Sequence, residues 1–270
     1  MLPEGFIHPY QSFKFIRASL PEGGKEIGKP GSIGSRYTWK FFSIEYHTTD
    51  TEPTLDRVQG VRIVIWNRIT RIDRPKKWIP MFKGFEWPAH VFCDIRNTNE
   101  YWSMWSDTAK QSRKKWFTQM EYMIVELERD EFVQAYMESS RHVSLKRFFI
   151  TLLDRAIQVY GDDIHMKVLR HKISGGIVAG IATMDAFELS QSRDIMSFLS
   201  GKETPSYAGL ALIDDWFGDC KNKGIAFPHF GIVWTKGQPK SWLGFTRFKL
   251  QFKPIVLEHP RSLFKITFFL

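Results

Sequence analysis

The stretch "SLKRFFITLLDRAIQVYGDDIHMKVLRHKISGGIVAGIATMDAF", Ser144 to Phe187, changes its hydrophobic period partway along, and that change sets the fold class. Leu145, Phe148, Phe149, Leu152, Leu153, Ala156, Ile157 and Tyr160 form one stripe at helical spacing, with Ser144 placed to cap the start and Gly161 the end. From Ile164 the period drops to two: Ile164, Met166 and Val168 fall on one face, His165, Lys167 and Leu169 on the other. Ser174, Gly175 and Gly176 then turn the chain into a second apolar run, so a helix feeds a hairpin.

Downstream, "PSYAGLALIDDWFGDCKNKG" (Pro205 to Gly224) reads as a helix that stops at Gly224, "IAFPHFGIVW" (Ile225 to Trp234) as a buried strand, and later segments such as "SLFKITFFL" (Ser262 to Leu270) as strands. Upstream, Trp102, Trp105, Ala109 and Trp116 recur at helical spacing and belong to a core, while Lys110, Arg113 and Lys114 occupy a face for solvent. "YTWKFFSIEYH" (Tyr37 to His47), "VRIVIWNRI" (Val61 to Ile69) and "HVFCDIR" (His90 to Arg96) have strand composition, and Asp94 with Arg96 reads as an ion pair. "PEGGKEIGKPGSIGS" (Pro21 to Ser35) reads as an extended loop. Gly28, Gly31 and Gly34 lack the strand, Gly-Lys-Ser/Thr ending and following helix of a phosphate loop. The expected fold is mixed α/β: a less regular lobe of strands and a basic helix over residues 1–119, and an α/β domain over 120–270.

Composition narrows the function. The 43% hydrophobic and 25% charged content is that of a globular chain. Apolar runs such as Gly176 to Met184 fall far short of the roughly 20 residues of a membrane span, so no integral segment is expected and membrane association would be peripheral. The start has no leader-like basic and apolar sequence, and Cys93 and Cys220 are too few for a disulfide framework or a zinc site, so a reducing cytoplasm and no metal are expected.

The net charge of +9 is concentrated at the end: from Lys221 to Leu270 nine Lys or Arg face Glu258 alone, 9 − 1 = +8. Such a field attracts a nucleic acid, a phosphorylated substrate or a membrane surface. In "GFTRFKLQFKP" (Gly244 to Pro254), rings at 245, 248 and 252 alternate with Arg247, Lys249 and Lys253. Two readings are open there: an amphipathic strand with cations outside, or a clamp for the end of a nucleic acid. As a strand it would send Phe248 and Lys249 to opposite faces.

The succession "VELERDEFVQAYMESSRH", "ISGGIVAGIATM", "PSYAGLALIDDWFGDCKNKG" and "LGFTRFKLQF" resembles the acyltransferase fold of the GNAT superfamily. It is most similar to the Fem-type aminoacyl-tRNA-dependent peptidyltransferases that build peptidoglycan cross-bridges. The resemblance covers roughly Glu121 to Pro254 and maps the family's glycine, Phe-Lys pair and further aromatic to Gly244, Phe248, Lys249 and Phe252. It implies a GNAT-like domain with a mixed central sheet flanked by helices and a shortened N-terminal GNAT-like lobe. It also implies transfer of an aminoacyl group from the 3′ end of an aminoacyl-tRNA to an amine acceptor such as a peptidoglycan precursor. On this reading Lys249 and Phe248 are the catalytic candidates. Lys236, Lys240, Arg247 and Lys253 line the RNA path, and Tyr207 and Trp242 shape a pocket. The Arg/Gln-x-x-Gly-x-Gly/Ala run that holds CoA is not found after the central strand, and no cofactor is implied. Two rivals stand beside this: a GNAT-type acylation from acyl-CoA or an acyl carrier, and a non-catalytic RNA-binding module. His165, His171 and His229 have no carboxylate at readable spacing and read as structural, and Asp214 and Asp215 point apart on their helix.

Overall fold

The computed structural model describes residues 2–20, 23–29, 32–57, 59–82, 87–98, 100–139, 143–200, 204–236 and 238–269. The first elements are α1 (Phe13–Ser19), β1 (Gly24–Lys29), β2 (Ser32–Trp39), β3 (Phe42–Thr49), β4 (Gly60–Arg68), β5 (Ile79–Pro80) and β6 (His90–Phe92). Then come α2 (Asp107–Phe117), β7 (Tyr122–Glu126), α3 (Arg129–Glu138), α4 (Val143–Tyr160), β8 (Ile164–His171), β9 (Ile177–Ala186) and β10 (Gln191–Leu199). The chain ends with α5 (Ala208–Asn222), β11 (Phe227–Ile232), α6 (Leu243–Leu250), β12 (Ile255–Leu257) and β13 (Leu263–Phe269). Two mixed sheets result, ordered β1-β2-β3-β4-β13-β5 and β12-β6-β11-β10-β9-β8-β7.

Two compact units divide the chain, one of Met1–His90, Ile232–Leu243 and Val256–Leu270, the other of Val91–Gly231 and Gly244–Ile255. This division differs from a cut between 119 and 120, because the last strand, β13, pairs with β4 in the N-terminal sheet. In that unit β3 and β4 run parallel, and the β-branched run of β4 alternates so that Val64 and Trp66 pack with Trp78 and Leu263. Inside the sheet the buried Glu45 carboxylate meets Arg36 at 2.7 Å, Arg62 at 3.3 Å and His47 at 3.2 Å. Burial works against that carboxylate, and the hydrogen bonds from His47 and Arg36 with the charge of Arg62 outweigh it, holding it below its ordinary range.

Three expectations are corrected. The Pro21–Ser35 loop contains β1 and the start of β2, an antiparallel hairpin whose Gly28 has φ +107°; of its glycines, Gly31 lies outside the described residues. Tyr37 to His47 is two strands, since Lys40 takes φ +44° and turns β2 into β3. Gly244 to Pro254 holds the helix α6, so the strand reading of that stretch fails.

In the second unit the helix-to-hairpin reading holds: α4 ends at Gly161, φ +56°, and β8 pairs antiparallel with β9. The side chain of the expected cap, Ser144, lies outside the described residues. Leu153, Ala156 and Tyr160 are buried, whereas Leu145 and Phe148 of the same stripe are exposed. Lys146 is buried and donates to the carbonyls of Met137 (2.6 Å) and Ser139 (2.5 Å), so a residue of α4 caps the end of α3. A bulge in β10 at Ile195 shifts its register on β9. A one-residue shift exchanges faces: Ser192, before it, accepts from Trp216 Nε1 of α5 at 2.8 Å, and Phe198, after it, packs on Phe132 and Tyr136 of α3.

Gly60 has φ +100°, and a Cβ there would lie 2.4 Å from the Phe41 carbonyl oxygen, which Val61 N–H needs at 2.8 Å. Gly60→Ala is expected to cost more than about 2 kcal/mol in urea unfolding. Gly161→Asn, facing open space at a left-handed position Asn tolerates, is expected to cost less than about 1 kcal/mol.

Candidate active site

The centre of the second unit is the place where β10 and β11 stop pairing. They run parallel through three partner pairs only, Gln191 with Phe227, Ser192 with Pro228 and Arg193 with His229. β10 nevertheless continues to Leu199 and β11 to Ile232. Just past the last of these pairs Phe230 O of β11 accepts a hydrogen bond from Lys249 Nζ at 2.5 Å, two residues beyond Pro228, whose carbonyl takes Cys93 N–H at 2.9 Å on the side away from β10.

Lys249 reaches that carbonyl because α6 is a helix. Phe245, Phe248 and Phe252 are spaced i, i+3, i+7, and Lys249 lies at i+4 from Phe245, so its ammonium sits over the Phe245 ring, 4.9 Å from the centroid. Phe248 is half-buried; it packs on Phe252 at 5.3 Å and against the first turn of α5, where a Cβ on Gly209 would meet its ring at 3.3 Å. Phe252 is core: its ring stacks on Phe230 at 5.2 Å and meets Trp105 edge-on at 5.0 Å. Strand geometry would have sent Phe248 and Lys249 to opposite faces; on the helix Phe248 meets the start of α5 and Lys249 the Phe230 carbonyl of β11.

The other sequence-derived candidates are dispersed. Arg247 and Lys253 are exposed at and just beyond α6, Lys253 with φ +51°. Tyr207 is buried just before α5, its ring 6.3 Å from both Trp116 and Tyr122. Lys236 and Lys240, both exposed, and the half-buried Trp242 belong to the first compact unit. Arg113 does not face solvent as expected: it binds Asp214 at 2.7 Å and stacks on Trp102 and Phe117. Asp214 and Asp215 do diverge, Asp215 taking Lys167 at 2.7 Å.

Sequence reading misses one cluster. His165 Nδ1 lies 2.9 Å from Glu126 Oε1 and its Nε2 lies 3.2 Å from Asp185 Oδ2, so the ring carries carboxylates from β7 and β9. Lys223, just past the end of α5, adds an ammonium 2.7 Å from Asp185. The hydrogen bond to Asp185 raises the His165 pKa, burial opposes it, the bond to Glu126 adds to it and the charge of Lys223 opposes. Only the strand register makes this visible: Thr183 is opposite His165, which sets Asp185 two residues along. His229 is buried in β11 and its Nδ1 accepts from Gly231 N–H at 3.1 Å. Burial pushes the Cys93 thiol up to about 12 and raises that of Cys220 as well. Among the described residues no group of three or more His, Cys, Asp and Glu side chains is placed to hold a metal ion, and no helix is long and apolar enough to cross a membrane.

A mixed sheet whose two central parallel strands part, covered by α3 and α4 on one face and α5 on the other, is the fold of the GNAT acyltransferases. A tandem GNAT protein from the clavulanic acid biosynthesis pathway superposes over 92% of this chain and 84% of its own, at TM-score 0.50 and 7% identity. FemX superposes over 97% of this chain and 93% of its own, at TM-score 0.70 and 8% identity, so the Fem-type resemblance of the sequence is present in the fold. L-PGS from Bacillus licheniformis covers 90% and 83%, at TM-score 0.53 and 14% identity. No protein-family model and no curated protein matches the sequence.

The raised His165 pKa gives a signed pH effect. Its contribution to stability is complete below the unfolded value of about 6.5 and is lost as pH rises through the higher folded value. In melts of wild type against His165→Gln, the stability difference is therefore expected to be larger at pH 6 than at pH 9. A difference that grows toward alkaline pH would show that the ring is held neutral.

Proposed function

We propose that this protein transfers an aminoacyl group from the 3′ end of an aminoacyl-tRNA to an amine, with a peptidoglycan precursor as acceptor class. The observation that carries the reading is the position of Lys249, whose ammonium is fixed on a β11 carbonyl just past the last pair of β10 with β11, on the helix whose Phe248 packs against the first turn of α5. The FemX-like fold supports it, as does the cationic end of the chain, where Arg247 and Lys253 are exposed next to that lysine.

The chemistry asks little of the protein beyond placement and charge. A neutral amine attacks the carbonyl carbon of the aminoacyl ester, the new C–N bond forms, the tetrahedral oxyanion collapses, and the ester C–O bond breaks. The proton lost from nitrogen ends on the ribose oxygen of the tRNA. An ammonium beside the oxyanion offsets its charge, and removal of such a donor costs about 3 to 4 kcal/mol. Phe248 offers the terminal adenine a packing surface of the kind that contributes about 1 to 3 kcal/mol per base. Arg247 and Lys253 supply screened attraction for the RNA backbone, and Tyr207 acts as a substrate-pocket wall.

Incubation with a pool of labelled aminoacyl-tRNAs and a muropeptide precursor is expected to move label to the precursor. Lys249→Ala is expected to lower the single-turnover rate by about 10²- to 10³-fold, with tRNA affinity changed far less. Label transfer unaffected by Lys249→Ala would remove that residue from the mechanism. Stabilisation by CoA with none by charged tRNA would assign a different acyl donor.

Because Arg247 and Lys253 are exposed, their replacement by Ala is expected to leave the melting temperature unchanged. Each replacement should reduce the slope of log affinity for tRNA against log salt by about 1. An unchanged slope would place the RNA backbone elsewhere.

A further inference from the structure

The first compact unit contains a cavity that the transfer reading does not use. It has a volume of about 680 Å³ and lies between the loop that follows β4 and the segment that precedes β13; Arg68, Arg71, Arg74 and Arg261 line it. Asp73 and Glu258 are the acidic lining residues, so the charge of the lining is 4 − 2 = +2, with the His259 ring beside them. A volume of this size accommodates a small molecule.

The walls are fixed before any ligand arrives. Arg68 is buried and donates from Nη1 to Ile72 O at 2.8 Å and from Nη2 to Arg261 O at 2.6 Å, so one guanidinium ties both walls together. Ser262 Oγ donates to Asn67 Oδ1 at 2.8 Å, Met81 N–H to Ser262 O at 2.8 Å, and Arg261 Nε to Met81 O at 2.7 Å. Burial, and then the charge of Arg71, lower the pKa of Arg68, which means that cationic charge is crowded and partly desolvated at this point. His259 stacks on Trp87 at 3.8 Å, and burial lowers its pKa to about 4, so the ring lines the cavity as a neutral group. Arg71 and Arg74 remain exposed on the rim.

We infer that this cavity is a binding site for the phosphate or diphosphate group of a small molecule. Planar guanidinium forks match paired phosphate oxygens, and the exposed Arg71 and Arg74, in a lining of net positive charge, make a multiply charged oxyanion the fitting occupant. An aliphatic or neutral ligand would add nothing to balance the net positive charge of the lining. The inference does not depend on the identity of the acyl donor.

Calorimetric titration with inorganic pyrophosphate at about 0.15 M salt tests it, with ADP as a soluble diphosphate ester and phosphatidic acid in phosphatidylcholine vesicles as a headgroup source. Pyrophosphate is expected to bind one to one, with a Kd below about 1 mM, and to lose at least about tenfold in affinity in Arg71→Ala/Arg74→Ala. That variant alters exposed side chains, and an unchanged melting temperature shows that it folds. Competition by ADP identifies a soluble ester as the source, and competition by the vesicles a lipid headgroup; either upholds the site. It is overturned if pyrophosphate does not bind, if the double variant binds it equally, or if only an RNA oligonucleotide that pyrophosphate cannot displace is bound. Because no aminoacyl transfer is measured, failure here is separate from failure of the transferase assignment.

Discussion

The structure of the second unit turns on the place where two parallel strands stop pairing. A sheet is stabilised by completing its ladder, and a strand that leaves one exposes donors and acceptors that need partners. β10 and β11 keep three partner pairs and then part, and the aromatic packing shows what sits at the parting. Phe230 on β11 meets Trp216 and Phe217 of α5 and stacks on Phe252 beyond α6, so beyond the last pair β11 is held by ring packing on the face that α5 covers. The bulge at Ile195 adds to this by turning the outer half of β10 toward α3, while its inner half stays bound to α5 through Ser192.

The parting needs α5 to stay still, and α5 is held by charge as much as by its apolar face. Three of its acidic residues take cations from two different elements: Asp214 from Arg113 on α2, and Asp215 and Asp219 from Lys167 on β8. In the opposite sense, Lys223 just past its end holds Asp185 on β9. Asp214 and Asp185 are almost wholly buried. Breaking such a pair strands a charge at about 3 to 5 kcal/mol, whereas the exposed Arg129 pairs contribute about 0 to 1 kcal/mol. The first turn of α5, against which Phe248 rests, is therefore positioned by contacts made two and three turns further along the same helix.

Much of this was legible wherever one period dominated a segment. The stripe of α4, the alternation of β8 and the stop at Gly224 each depend on neighbours within a few residues, and each is present in the structure. The Gly244–Pro254 stretch failed as a strand because its cations drew attention to alternation, although the rings at 245, 248 and 252 already carried helical spacing. Tyr37 to His47 failed because a positive-φ Lys40 makes the turn, and lysine carries no turn signal. The carboxylates on His165 and the arginine-lined cavity were beyond reach for another reason. Each is assembled by strand register, β7 against β8 in one case and β13 against β4 in the other, and register joins residues separated by tens to hundreds of positions.

The chemistry left to the site follows from what burial does to the nucleophiles. Both cysteine thiols are buried with raised pKa values, which disfavours the thiolate a covalent route would use. His229 lies in the core of β11 with Nδ1 accepting a backbone hydrogen bond, and the His165 ring is engaged by two carboxylates. Lys249 differs from these. It is half-buried, and its ammonium is oriented by a backbone carbonyl and a ring. A fixed positive charge stabilises an oxyanion without a reorganisation step. For the proposed transfer, that is the contribution an already activated ester would need from a protein, since the ester would supply the leaving group and the acceptor the nucleophile.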